Sequence, residues 1–468
     1  PVEEKGDSSH LADIRLINAY YLRGPDKDYP EAIRRFENMV NRYPESGYAY
    51  LTLYYFAKTL EEYGDELTAE AGRLRREAAA SSSADSLLAQ ARKLEDKARD
   101  QYDQSVIQYN KAISARDSSK YVDTQNERYL KHIIFHRGHS AFKKGEYRLA
   151  EDYYRQAIER YGSDNSVEEY KPLVIERLGD LNVRLKNYDQ AVKHYMNYLN
   201  NAYENKDMRV TIKLADAYLG RFSWDQARDW YQKIIKNDPL TPTDAQVDNR
   251  IRSGQPSPKG PGFLCLKRIA ESHRRQALTL SFEERAAKMN DALKAYRDLA
   301  EKYPLGPDQD RDLPHDPDSI RSMAQIHFEL ENYDQAARCF EKFLELKPDY
   351  LRQGLLLYNL GQSYLKSADF DKAIAKLSQI TLESMDNPTQ YADALILLGQ
   401  AFQNKANEFL NVSGDETLYT QYLLRAQRTY NRVAITNQPG KIQEANIMSA
   451  AIDSILRSRA ELAVGGAP

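Results

Sequence analysis

The chain has 468 residues, 41% of them hydrophobic, and its 66 basic and 69 acidic side chains leave a formal charge of -3. Both signs are mixed along its length without a basic tail or stripe, which excludes a binder of nucleic acid or of anionic membranes that works by charge. No run of 18 apolar residues is present to span a bilayer, and two cysteines, Cys265 and Cys339, without metal-type spacing, predict buried free thiols.

Residues 1–9 are small and polar and are expected as a disordered tail. The chain opens Pro-Val-Glu-Glu-Lys without an initiator methionine, which suggests trimming, by removal of a targeting segment among other routes. From residue 10 a small residue is followed four positions later by an aromatic, in the pairs Ala32/Phe36, Ala150/Tyr154, Ala191/Tyr195, Ala227/Tyr231, Ala292/Tyr296, Ala336/Phe340 and Ala426/Tyr430. Residues four apart share a helix face, so the alanine admits a neighbouring helix and the ring fills the space one turn on. Pro44, Pro239, Pro304 and Pro348 stand twelve residues after four of the alanines and stop the helix. Gly138, Gly179, Ala215, Ala324 and Gly361 stand twelve residues before Ala150, Ala191, Ala227, Ala336 and Ala373, a distance that carries the chain from one helix through a turn into the next. The repeated unit is therefore a helical hairpin.

Within the second unit, residues 65–97 are rich in Ala, Glu, Arg and Ser and predict two lengthened helices meeting near 81–86, an arm that projects beyond the stack. Regular units continue to about 239, closing an N-terminal array over 10–239. Residues 240–262 are polar and rich in Pro and Gly, which predicts a loop acting as a hinge or as a docking element. A C-terminal array fills 263–435 with insertions at 277–286, 305–319 and 405–419. An amphipathic helix within 436–462 is expected to cap the apolar end of the stack, ahead of a tail at 463–468.

The segments 323–348, with Ala324, Tyr333, Ala336, Phe340 and Pro348, and 360–380, with Leu360, Gly361, Tyr364, Phe370 and Ala373, resemble tetratricopeptide repeats. The resemblance implies an all-α, right-handed α-solenoid of about nine hairpins. It departs at Leu377, which replaces an aromatic, and at His273 and His327, where tyrosine is usual. It also implies that the first helix of each hairpin lines an inner groove for peptides or partner proteins, several subunits of a large complex among them, with self-association open. The groove residues carried over are His139, Phe142, Asp180, Asp216, Leu219, Lys267, Glu271, Arg274, Arg321, Gln325, Phe328, Tyr358, Asn359, Gln362 and Gln400. The segments 32–60 and 294–307, which end units in Tyr43-Pro44 and Tyr303-Pro304, are similar to bacterial envelope proteins: the outer-membrane β-barrel assembly lipoprotein and the periplasmic Tol-Pal partner. That likeness implies a periplasmic setting.

No phosphate-binding glycine loop, HExxH, nucleophile elbow or dinucleotide fingerprint occurs, so no catalytic residue and no cofactor are expected. His132, His136 and His139 fall at i, i+4 and i+7 on one helix face, a spacing that can bring imidazoles to a metal; a histidine-rich recognition surface is the plainer expectation. Asn411-Val412-Ser413 fits a glycosylation sequon. A scaffold of the bacterial envelope, a cytoplasmic adaptor and a metal carrier are the three functions these features allow.

Overall fold

The computed structural model describes residues 2–22, 27–44, 46–78, 84–117, 124–161, 170–200, 207–243, 245–247, 259–304, 312–348, 350 and 353–465. Two compact units divide the chain, Pro1–Ala227 and Arg228–Pro468. The division therefore falls inside a helix and not in 240–262, most of which lies outside the described residues.

In the first unit α1 (Val2–Tyr21) pairs with α2 (Tyr29–Arg42), α3 (Ala49–Ala78) with α4 (Ala84–Asp117), α5 (Thr124–Lys144) with α6 (Tyr147–Tyr161) and α7 (Tyr170–Arg184) with α8 (Tyr188–Asn200). Then come α9 (Met208–Gly220) and α10 (Trp224–Asn237), the second of which continues into the next unit. The second unit pairs α11 (Pro261–Ala277) with α12 (Phe282–Lys302), α13 (Pro317–Glu329) with α14 (Tyr333–Leu346), α15 (Gln353–Lys366) with α16 (Phe370–Leu377) and α17 (Pro388–Ser413) with α18 (Glu416–Arg432). Helix α19 (Pro439–Gly465) closes it, packed on α18. The described residues form an all-α solenoid of hairpins, as the repeat spacing predicts.

The helix starts are written locally. Asp28, Asp207, Asp316, Asp369, Asn387 and Asp415 each accept a backbone N–H from the first turn of the helix that follows, and proline stands in the first turn after Asp28, Asp316 and Asn387. The turns inside the hairpins share one geometry that composition hides. Gly145, Lys186, Phe222, Glu331 and Ala368 all have φ between 59° and 96°, and each precedes its repeat alanine by five residues. In all five the next amide bonds back to a carbonyl five residues earlier, as Asn187 does to Asn182 (2.7 Å) and Asn332 to His327 (2.8 Å). This is the left-handed C-terminal closure that favours glycine, yet only one of the five positions carries it.

The repeat alanines are fully buried and their aromatic partners nearly so, from Phe36 and Tyr231 at 0% exposure to Tyr154 at 2%. Opposite these rings the first helix presents a glycine: a Cβ on Gly138 would collide with Tyr154, on Gly179 with Tyr195 and on Gly361 with Leu377. The same contact recurs where the connection is much longer, between Gly64 and Tyr102 and between Gly399 and Tyr430. Both cysteines are buried free thiols.

Several expectations are corrected. Residues 2–9 continue helix α1 and are no tail, and α19 extends through Val464 and Gly465. The 405–413 stretch lengthens α17, which stops at Gly414 in the left-handed conformation, so the sequon lies in the last turn of a helix. Residues 79–83 at the meeting point of the lengthened helices, and 305–311 of the later insertion, lie outside the described residues. The distal parts of α3 and α4 bury Leu67 with Ala98 and Tyr102, and Ala71 and Leu74 with Ala91, against each other.

Candidate functional site

The first helices of successive hairpins in the first unit form a continuous lining. Helices α1, α3 and α5 enclose a recess of about 610 Å³ bordered by Leu11, Arg15, Asn18, Tyr55 and Tyr129, among others. Helices α3, α5, α6 and α7 border a second recess of about 290 Å³, with Phe135, His136, His139, Lys143, Leu173 and Val174 in its wall. Lys58 and Glu62 line both, so the two are parts of one groove.

Glu61 forms the floor of the second recess. It occupies a core-facing position of α3, four residues after fully buried Ala57, and is 4% exposed. Its carboxylate accepts from Tyr109 Oη on α4 (3.0 Å), from Lys143 Nζ on α5 (2.8 Å) and from His136 Nδ1 (3.1 Å), with His139 Nε2 4.0 Å away. Burial opposes its ionisation, but the hydrogen bond from His136 and the neighbouring Lys143 cation outweigh that, holding the carboxyl far below the usual range. His139 is pushed down to about 3 by burial first and then by Lys143, so it is neutral at physiological pH. Burial, together with the Glu61 charge, keeps Tyr109 protonated well above its ordinary value. The cluster ties three helices to one buried charge. Lys143 also reaches Asp65 Oδ2 (2.7 Å), at the rim.

The histidine spacing therefore has a different meaning from metal binding. His136 and His139 face a carboxylate already engaged by Lys143 and Tyr109, while His132 lies a turn away beside Tyr54 and Tyr129. Among the described residues no group of three or more His, Cys, Asp or Glu side chains is placed to hold a metal ion.

The other carried-over residues scatter over several helices. Phe142 is half-buried under the Arg177 guanidinium, 5.6 Å from its ring centre, and Arg177 also reaches Asp180 (3.3 Å). Asp180 accepts from Tyr195 Oη (2.7 Å) and from Lys213 (2.7 Å); Lys213 and Arg209 both pair with the buried Glu176. Burial opposes ionisation of Glu176, and those two cations overcome it. Asp216 is half-buried, whereas Leu219 is 5% exposed and belongs to the core: its side of α9 packs inward. In the second unit Lys267 pairs with Asp316 (2.7 Å), Arg274 with Glu271 (3.5 Å) and Gln325 (2.9 Å), and Arg321 with Tyr350 Oη (2.7 Å). Phe328 packs edge-on to Tyr333, and Tyr358, Asn359, Gln362 and Gln400 are half-buried.

Glu61 was not singled out by sequence, because a glutamate in a charged helix reads as solvated. The available signal was its register, since Tyr54, Ala57, Glu61 and Gly64 follow one helical face.

Tetratricopeptide repeat profiles match residues 135–196, 317–350 and 356–383. A TPR repeat-containing protein of Methanocaldococcus jannaschii is 26% identical over 140 residues, which are 30% of this chain and 21% of that protein; the chain thus spans about a fifth of the length of this relative. Among solved structures, a tetratricopeptide repeat protein from Parabacteroides merdae is 12% identical with a TM-score of 0.36, covering 68% of this chain and 98% of its own. The C-terminal part of a TPR repeat-containing protein from Cytophaga hutchinsonii is 16% identical with a TM-score of 0.38, covering 66% and 98%.

Proposed function

The chain is a tetratricopeptide-repeat protein, and from that premise we propose that it is a non-enzymatic scaffold that holds protein partners along the groove of its first unit. The observation that carries this reading is the continuity of the groove over α1, α3, α5 and α7, in whose walls Leu11, Tyr55, Phe135 and Leu173 are mixed with Arg15, Asn18, Lys58, Glu62 and Asp65. A groove of this kind suits an extended or helical segment with mixed side chains better than a compact small molecule, because it runs past several helices and the polar groups that converge in it, around Glu61, are already paired with one another. The non-enzymatic reading is supported by the sequence, which carries no catalytic motif, and by the burial of its central acid, Glu61, which is 4% exposed and paired with Tyr109, His136 and Lys143.

We assign the scaffold to an assembly of the bacterial cell envelope, on the periplasmic side. The support is the likeness of its Tyr43-Pro44 and Tyr303-Pro304 unit ends to envelope proteins. A cytoplasmic adaptor is the alternative.

Crosslinking in the native source followed by mass spectrometry tests both parts. Crosslinks from Lys58 and Lys143 to envelope proteins are expected, with the charge-reversed Lys58→Glu variant losing those partners. Crosslinks to cytoplasmic proteins alone would move the protein to the adaptor role. Partners retained in full by the variant and linked only outside the groove would sink the groove assignment.

A further inference from the structure

The two recesses of the groove differ in what they leave unsatisfied. In the second, Glu61 accepts from Tyr109, His136 and Lys143, and Asp65 accepts from Lys143 (2.7 Å) and from Tyr102 Oη (2.9 Å). Tyr154 Oη meets His139 Nδ1 at 3.4 Å. A polar side chain entering there would exchange water for donors and acceptors that already have partners, which costs free energy, whereas an apolar one loses nothing. The apolar surface it would cover is Leu173, 38% exposed, with Phe135 and Val174 in the same wall. The space between them, about 290 Å³, admits one bulky side chain.

The first recess is left with a charge. Lys58 and Glu62 approach to 3.8 Å and offset each other where the two recesses meet. Arg15 is exposed on α1, borders the first recess and pairs with no carboxylate among the described residues. The acid two positions before it, Asp13, turns instead to Tyr43 Oη (3.1 Å) and Arg42 (4.0 Å). Asn18, Tyr55 and Tyr129 in the same recess add no charge. A guanidinium is a planar fork of donors that matches a carboxylate.

We propose that the segment held in the groove is acidic as well as apolar: a side-chain carboxylate over the first recess, met by Arg15, and a bulky aliphatic or aromatic side chain seated in the second, against Leu173. The proposal rests on the groove assignment above and adds the chemistry of the partner. The two groups lie close together in the segment, because the recesses share Lys58 and Glu62. A basic segment would set its charge against Arg15, and a wholly apolar one would take water from the guanidinium without replacing it.

The test is a selection on the full chain from random peptides of about 12 residues displayed on phage. The peptides are joined to the coat protein at their C-terminal ends, so that only side chains inside a segment can supply the carboxylate. Enriched sequences are then measured as labelled peptides by fluorescence anisotropy. They should combine Asp or Glu with Leu, Ile, Met or Phe, and their dissociation constants should rise about 10-fold or more in Arg15→Glu and in Leu173→Asp. Both side chains are exposed, so the thermal midpoints of the two variants should match that of the parent. Selection repeated on Arg15→Glu should replace the acid with Lys or Arg. Enriched peptides that are basic or lack the apolar residue, or that bind both variants as tightly as the parent, would overturn the proposal; if Lys58→Glu still removes their binding, the groove assignment outlives it. No enrichment, or binding unchanged in all three variants, would overturn both.

Discussion

Glu61 in the first unit and Asp316 in the second are both carboxylates on the lining of a hairpin stack, each held by a lysine, yet they are built differently. Asp316 is a local device: it caps its own helix through Ser319 N (3.0 Å) and Ser319 Oγ (2.8 Å), and Lys267 adds a contact at 2.7 Å. Glu61 has no local role, and its donors come from α4 and α5, 48 to 82 residues away in the chain. A cap can be replaced by water, whereas a charge sealed between three helices has no substitute partner. The comparison teaches that Glu61 is held only by contacts from distant parts of the chain, whereas Asp316 is held first by its own helix start.

The sharpest way to break this comparison is to remove each carboxylate. Glu61→Ala leaves Tyr109 and His136 without their buried acceptor and Lys143 with Asp65 alone, and should cost about 2–4 kcal/mol in chemical denaturation, whereas Asp316→Ala should cost about 1 kcal/mol, the usual value of a cap. Equal losses would refute the distinction.

The helix contacts differ in a parallel way. Adding a methyl at Gly138 drives it into the rigid Tyr154 ring beneath the groove, and Gly138→Ala should lose about 2–3 kcal/mol. Gly361→Ala meets Leu377, a side chain that can rotate, and should lose nearer 1 kcal/mol. Paired thermal melts would show the order, and a reversed order would contradict the packing argument.

Lowering the pH separates the units more gently. His139 is pushed down to about 3 and His327 to about 4, both by burial first, so each stays neutral in the fold after its unfolded counterpart has bound a proton. The unfolded chain therefore holds more protons from the ordinary histidine value near 6.5 down to those values, and stability falls as pH falls through that window. Each histidine adds a slope approaching about 1.4 kcal/mol per pH unit. Glu61, held below its unfolded value of 4.5, adds a further loss below that pH in the first unit. His139→Gln should flatten the dependence between pH 6 and 4.5 on order-of-magnitude grounds, and an unchanged curve would show that the imidazole is not held neutral.

The smallest effect should be common to both units. Lys186→Gly and Glu331→Gly relieve a left-handed backbone at equivalent turns and should each stabilise by about 0.5–1 kcal/mol. A loss at either site would mean that its side chain makes a contact worth more than the strain.

Much of the fold was legible because its signals are short. The alanine and the ring four residues later lie on one helix, and in the regular units the glycine facing that ring stands sixteen residues before it, as at Gly138 and Tyr154. Gly64 and Tyr102 make the same contact across 38 residues, where the lengthened helices erase the spacing. The left-handed turns are hidden in the sequence for another reason: Lys186, Phe222, Glu331 and Ala368 are not residues that favour a positive φ. In the candidate groove, His139 and Phe142 were named from their position in the repeat, but Leu219 was assigned to the lining although its side of α9 is buried.

By itself the sequence determined the all-α repeat, the hairpin unit, the buried free cysteines and the lengthened second hairpin, because each follows from periodicity or composition within one or two helices. The tertiary structure alone decided that Glu61 is buried under the groove and that His136 and His139 face it while His132 stands apart beside Tyr54 and Tyr129. Those outcomes depend on which residues distant in the chain become neighbours. Helical spacing places a side chain on a face, but burial and charge pairing belong to what the rest of the chain sets against it.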